Sequence, residues 1–141
     1  MNIDDIKRAT ELWFCKKLRA ATGGRWFSSK GGEYGVFGAG VITPPFGFVQ
    51  VTEAATKLPG GAAWLLTVKV AYLTHLGDTG TPAHSAAVRQ LTGALHALAP
   101  GVDAELGVAV SGTDVAATDD FTDDEEQTHG DVFTVTAGVS Q

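Results

Sequence analysis

From Trp64 to Tyr72 the chain alternates, with Trp64, Leu66, Val68, Val70 and Tyr72 on one side and Thr67 and Lys69 on the other. A side-chain period of two places the large apolar groups on one face of a β-strand. Such a face needs a second layer to cover it, and the residues that follow supply one. Gly77-Asp78-Thr79-Gly80 breaks the strand, Thr81 can cap a helix, and Pro82 suits its first position, where no amide proton is required. Val88, Leu91, Leu95 and Leu98 then recur at helical spacing before Pro100-Gly101 ends the run. A strand, a sharp break and an amphipathic helix together predict an α+β fold.

The flanking segments extend that plan. Residues 4–22 read as a first helix, capped by Asn2 or Asp4, with Asp4 and Asp5 at its positive end and Lys16, Lys17 and Arg19 at its negative end. Ile6, Ala9, Trp13 and Lys17 recur at three and four, Phe14 and Leu18 widen the stripe, and Gly23-Gly24 stops it. Trp13 and Phe14 are large for one short helix, so one of them is available to pack against a neighbouring copy. Phe48–Thr52 reads as a strand, and Leu58-Pro59-Gly60-Gly61 as the turn region of a hairpin. Leu106, Val108 and Val110, and later Phe133, Val135, Ala137 and Val139, alternate as further strands. A Gly-rich loop or arm at about 23–40 and an acidic loop at about 114–130, which includes Asp119 to Glu126, complete a single domain spanning 1–141. The expected architecture is an antiparallel sheet, with a mixed one allowed, and two helices packed on one face.

Composition narrows the function. The 141 residues carry a formal charge of −6, which argues against nucleic acid as the main ligand, since phosphate binding needs clustered cations. One cysteine, Cys15, excludes an internal disulfide and a multi-cysteine zinc site, and its helical setting reads as a small buried hydrophobe. The opening Met-Asn-Ile-Asp-Asp has no secretory character, and no apolar run approaches the ~20 residues that span a bilayer. A soluble protein made in a cytoplasm is expected.

Charge is also sorted along the chain. Seven of the ten basic residues lie in the first thirty positions, while ten carboxylates fall from Asp103 to Asp131. Copies docking head to tail, basic end against acidic end, would satisfy both halves. Lys16, Lys17 and Arg19 are the candidate interface cations, and Asp119, Asp120, Asp123 and Asp124 their candidate partners on the next copy. Alternatively, the acidic loop lines a channel where negative charge lets DNA pass without sticking.

Chemical sites are sparse. His75, Asp78 and His84 bracket the break before the second helix and are the metal candidates, but they straddle a glycine turn and lack a fourth ligand. Gly35-Val-Phe-Gly-Ala-Gly40 lacks the ending of a phosphate loop, and Pro44-Pro45 prevents a helix from following it. The acidic run lacks the ligand spacing and central glycine of an EF-hand. There is no Gly-x-Ser-x-Gly elbow, and Cys15 has no sequence cue for a histidine partner. The expectation is a protein that is not an enzyme and has no cofactor, resident metal or catalytic residue.

The order of a basic helix, a Gly-rich arm, "TPPFGFVQV", "AAWLLTVKVAYLTHLGDTGTPAHSAAVRQLTGALHAL" and a closing "HGDVFTVTAGV" resembles the small tail terminator proteins of long-tailed bacteriophages, also called tail completion or tail-to-head joining proteins. The resemblance runs from about Asp4 to Val139 and is most specific from Trp64 to Leu98. It implies a structural phage or prophage protein that forms a ring, usually of six copies, on the finished tail tube. That ring stops tube polymerisation and joins the tail to the head connector. The implied partners are further copies, the tube protein and the connector, with DNA only passing through, no membrane, and a place in the virion tail after assembly in the bacterial cytoplasm. Alternatives are another neck or tail component, such as a head–tail adaptor or the tube protein, or a small α+β ligand-binding domain or enzyme.

Overall fold

The computed structural model describes residues 2–28, 44–57 and 63–141, without the side chains of residues 53–56. The expected turn at Leu58–Gly61, the Gly35–Gly40 segment and residues 29–40 of the expected arm lie outside them. Helix α1 (Ile3–Thr22) leads into β1 (Trp26–Ser28), β2 (Phe46–Lys57) and β3 (Ala63–His75). A 3-10 turn at Leu76–Asp78 precedes α2 (Pro82–His96), followed by β4 (Gly101–Asp103), β5 (Val108–Asp123) and β6 (Thr128–Ser140). One six-stranded sheet runs in the order β1-β2-β3-β6-β5-β4. It is mixed: β1 pairs parallel to β2, and every other pairing is antiparallel. The fold is therefore α+β, with both helices sharing one core with one face of the sheet.

Local chemistry sets the helix ends. Asn2 and Asp5 form a reciprocal capping box, and Gly23 closes α1 at φ 69°, a left-handed position that suits glycine. Thr81 accepts from the His84 amide, with Pro82 at the start of α2.

The central strands meet in register, Leu66 opposite Ala137, Val68 opposite Val135 and Val70 opposite Phe133, all buried. Alternation in both strands makes this register the one that puts these apolar side chains beneath the helices, while Ala71, Leu73 and Val132 pack with Phe46 and Phe48 in a second cluster. Leu91 and Leu95 of α2 close the core from above.

Four expectations change. Lys17 leaves the buried stripe of α1 and sits exposed with its ammonium 5.6 Å from the Trp13 ring. Trp13 and Phe14 are both buried within the chain, edge to face at 5.1 Å, so neither is left for a neighbouring copy. The arm at 23–40 contains strand β1. The acidic segment at 114–130 is the far end of the β5–β6 hairpin rather than a loop, with a turn only at residues 124–127. Pairing with β6 continues from Asp114 opposite Thr136 to Asp123 opposite Thr128, so backbone bonding overrides the loop-like composition.

Two features not visible in the periodicity lock α1 to the sheet. Glu11 is fully buried, accepting from Ser28 Oγ at 2.6 Å and from the Val51 amide at 2.8 Å. A register irregularity begins at Val51, where the β2–β3 ladder is interrupted until Ala55. The second feature is Trp26, whose ring lies against Gly47, its register partner, so closely that an added Cβ would fall 2.3 Å from it.

Gly47→Ala must displace the Trp26 indole, and a melting experiment is expected to show a loss of about 1–3 kcal/mol; an unchanged melting temperature would refute the close packing. Glu11→Ala leaves the Val51 amide and Ser28 hydroxyl without their buried acceptor. Denaturant unfolding should record a loss of about 2–4 kcal/mol, and a loss under 1 kcal/mol would show that water takes over its role.

Candidate functional site

The apolar row on β6 turns polar at one end. Val139, Ala137, Val135 and Phe133 are buried on the helix side, and the same alternation continues backwards through Asp131 to His129. Helix α2 begins above this polar end and brings His84 down onto it. His84 Nε2 lies 2.9 Å from Asp131 Oδ2, and His129 Nε2 lies 3.4 Å from Asp131 Oδ1 and 3.9 Å from Asp120 Oδ2. The two imidazoles meet edge to face at 5.4 Å. Both are deeply buried, with side-chain exposures of 9% for His84 and 6% for His129. Tyr72, opposite Asp131 on β3, has its phenol pushed above the ordinary range by burial, with the Asp131 carboxylate adding to the effect.

Among the described residues, His84, His129 and Asp131 are the histidine, cysteine or carboxylate group whose ligand atoms converge, within 4.8 Å of one another. His75, Asp78 and His84 do line one cleft of 250 Å³, but His75 and Asp78 are exposed there and His84 makes its contacts with β6.

Hydrogen-bond roles distinguish a metal centre from a structural joint. The Gly80 amide donates to His84 Nδ1 at 3.2 Å, so that nitrogen carries the lone pair and Nε2 carries the proton directed at Asp131. A ligating Nε2 requires the reverse arrangement, with Nδ1 donating to an acceptor. His129 turns its Nε2 toward the same carboxylate, at 3.4 Å from Asp131 Oδ1. The His84 arrangement fits a hydrogen-bonded joint between the start of α2 and the base of the hairpin better than an ion site.

The sequence-predicted interface residues have separate fates. Lys16 Nζ pairs within the chain with Asp103 at 2.8 Å, reaching Glu105 at 4.0 Å. The hydrogen bond to Asp103 and its charge raise the Lys16 ammonium above its usual range, and the Lys16 bond depresses the Asp103 carboxyl. Arg19 donates through Nε at 3.1 Å and through Nη2 to the Trp26 carbonyl. Asp123 Oδ1 accepts from the Glu125 and Glu126 amides at 3.0 and 3.1 Å, shaping the hairpin turn. Asp119 accepts from the Asp120 amide at 2.8 Å, and Asp124 is exposed at the turn. With Val88, Thr92, Thr118, Asp131 and Phe133, Asp119 and Asp120 also line a 520 Å³ cleft between α2 and the hairpin.

His129 stands beside the acidic run in the sequence, but Asp131 and the meeting with His84 are not marked by any local motif. Two further steps of the β6 alternation, back from Phe133, place Asp131 and His129 on the helix side.

No family model and no curated protein matches this sequence. Among solved structures, a chain from the virion of a native gene transfer agent particle shares the fold at a TM-score of 0.54 and 13% identity. The match covers 97% of this chain and 94% of that one. None of the helices is long and apolar enough to cross a membrane among the described residues.

If the histidine–aspartate group is a joint, zinc or nickel added to the metal-free protein should leave its melting temperature unchanged, because nothing in the folded state binds the ion preferentially. A rise that scales with metal concentration and disappears in His84→Ala would reverse the assignment.

Proposed function

We propose that this chain is a structural protein of a phage or phage-like virion, and that it caps the tail tube as a closed ring. The ring ends tube polymerisation and presents the surface that meets the head connector. The observation that carries this reading is the end-to-end likeness of fold to a chain of the gene transfer agent virion. Its near-complete coverage of both chains means that the shared architecture is the whole described protein rather than one common motif. The resemblance of the element order to tail terminators supplies the specific station.

The chemistry of the chain agrees with a non-enzymatic role. His84 and Asp131 are turned toward each other, and His84 also accepts from the Gly80 amide, so both are engaged in holding α2 to the hairpin. Sorted charge suits assembly instead. A heterologous contact between unlike faces closes into a ring when its rotation closes, and otherwise generates a filament. A terminator is expected to stop at the ring, and a tube protein to continue.

Removing the gene from a genome that produces the particles should give tails of uncontrolled length that fail to join heads, as seen by electron microscopy. Tails of normal length joined to heads would exclude the terminator reading. Tails missing altogether would point to the tube protein.

A further inference from the structure

The sheet has one long open margin. Strand β4 covers β5 only at Val108 to Val110, and from Ser111 to Asp123 no strand lies beyond β5 among the described residues. At ~3.3 Å per residue that margin extends about 40 Å. An exposed edge is a template for another chain, and monomeric proteins blunt theirs with charged side chains, proline, bulges or shortness. Here β5 is the longest strand and has no proline, but Asp114, Asp119, Asp120 and Asp123 make it repel a strand of like charge. Its register irregularities, at Val110/Gly112 and Val115/Ala117, both precede the stretch from Ala117 to Asp123, which pairs regularly.

That regular stretch has a defined chemistry. Phe121 is 42% exposed and stacks on Gly130, its register partner. By strand alternation Asp119 and Asp123 share its face, so an apolar centre is flanked by two carboxylates. Like charges exclude pairing of this edge with itself, which removes the symmetric dimer and leaves a cationic, heterologous occupant.

The chain carries a surface of that description. Arg8, Leu12, Lys16 and Arg19 fall at helical spacing along the outward side of α1, opposite the buried Phe14 and Leu18. Leu12 is half-buried between exposed cations, and Arg8 has no partner among the described residues. An apolar centre flanked by positive charge matches one flanked by negative charge.

We propose that the outer margin of β5 around Phe121 is the docking surface for a second copy of this chain, which lays its Arg8–Leu12–Lys16–Arg19 ridge across it. The inference deepens the ring reading and rests on it. It also revises the contact expected from sequence: Phe121 and Leu12 form its centre and Arg8 is its free cation among the described residues, while Lys16 and Arg19 flank it with their bonds to Asp103 and the Trp26 carbonyl already made.

The test is light scattering and sedimentation of the full chain at low salt across concentration. The unsubstituted protein is expected to form one discrete assembly. Arg8→Asp and Asp119→Arg alone should each raise its dissociation constant at least tenfold, and an equimolar mixture should restore it, because alternating copies then match at every contact. Phe121→Ser should also weaken assembly while leaving its salt dependence intact. Unchanged melting temperatures for the two charge variants verify that they fold. Assembly that persists in all three variants overturns the docking surface and leaves the ring reading standing. A protein that stays monomeric at every concentration overturns it too, and the tail-length experiment then decides the ring reading separately.

Discussion

A single buried carboxylate holds the two layers of this fold in register. Glu11 sits on the inner side of α1, where a charged group is costly unless its oxygens are paired. Ser28 comes from β1 and the Val51 amide from the interrupted part of β2, so one side chain joins the helix to two strands. Apolar packing alone tolerates small shifts of a helix across a sheet, whereas directional bonds to fixed donors do not. Trp26, seated on Gly47, and Arg19, bonded to the Trp26 carbonyl, fix the same corner.

From that corner the molecule changes character along the sheet. Near α1 the strands are buried beneath helices, but β5 and β6 run on past the core, and β5 is exposed along most of its length. The aromatic-on-glycine device recurs there with the opposite environment: Phe121 covers Gly130 as Trp26 covers Gly47, yet Phe121 remains partly in solvent. The His84–Asp131–His129 group marks the boundary, where the apolar row of β6 ends and α2 starts. Its hydrogen bonds attach the hairpin to the helix layer without extending the apolar core.

Legibility followed the range of the interactions. The helix caps at Asn2, Gly23 and Thr81 and the apolar faces of β3 and β6 are set by neighbours within a few residues, so they could be read directly. The acidic hairpin could not, because residues of loop-like composition were drawn into a strand by a partner on β6. Interface candidates were harder still. Lys16 met Asp103 across 87 residues and Arg19 turned to Trp26, so sorted charge identified cations without indicating which were already engaged.

The sequence by itself determined the class of fold, the two capped helices, the strands around the core and the uneven division of charge, because each follows from local periodicity or composition. Only the tertiary structure decided that β1 joins the sheet in parallel, that Glu11 is a buried tie, that His84 meets Asp131 rather than His75 and Asp78, and that one margin of β5 stays open. Those outcomes depend on strand order and on which distant elements share a face, and no run of neighbouring residues encodes either.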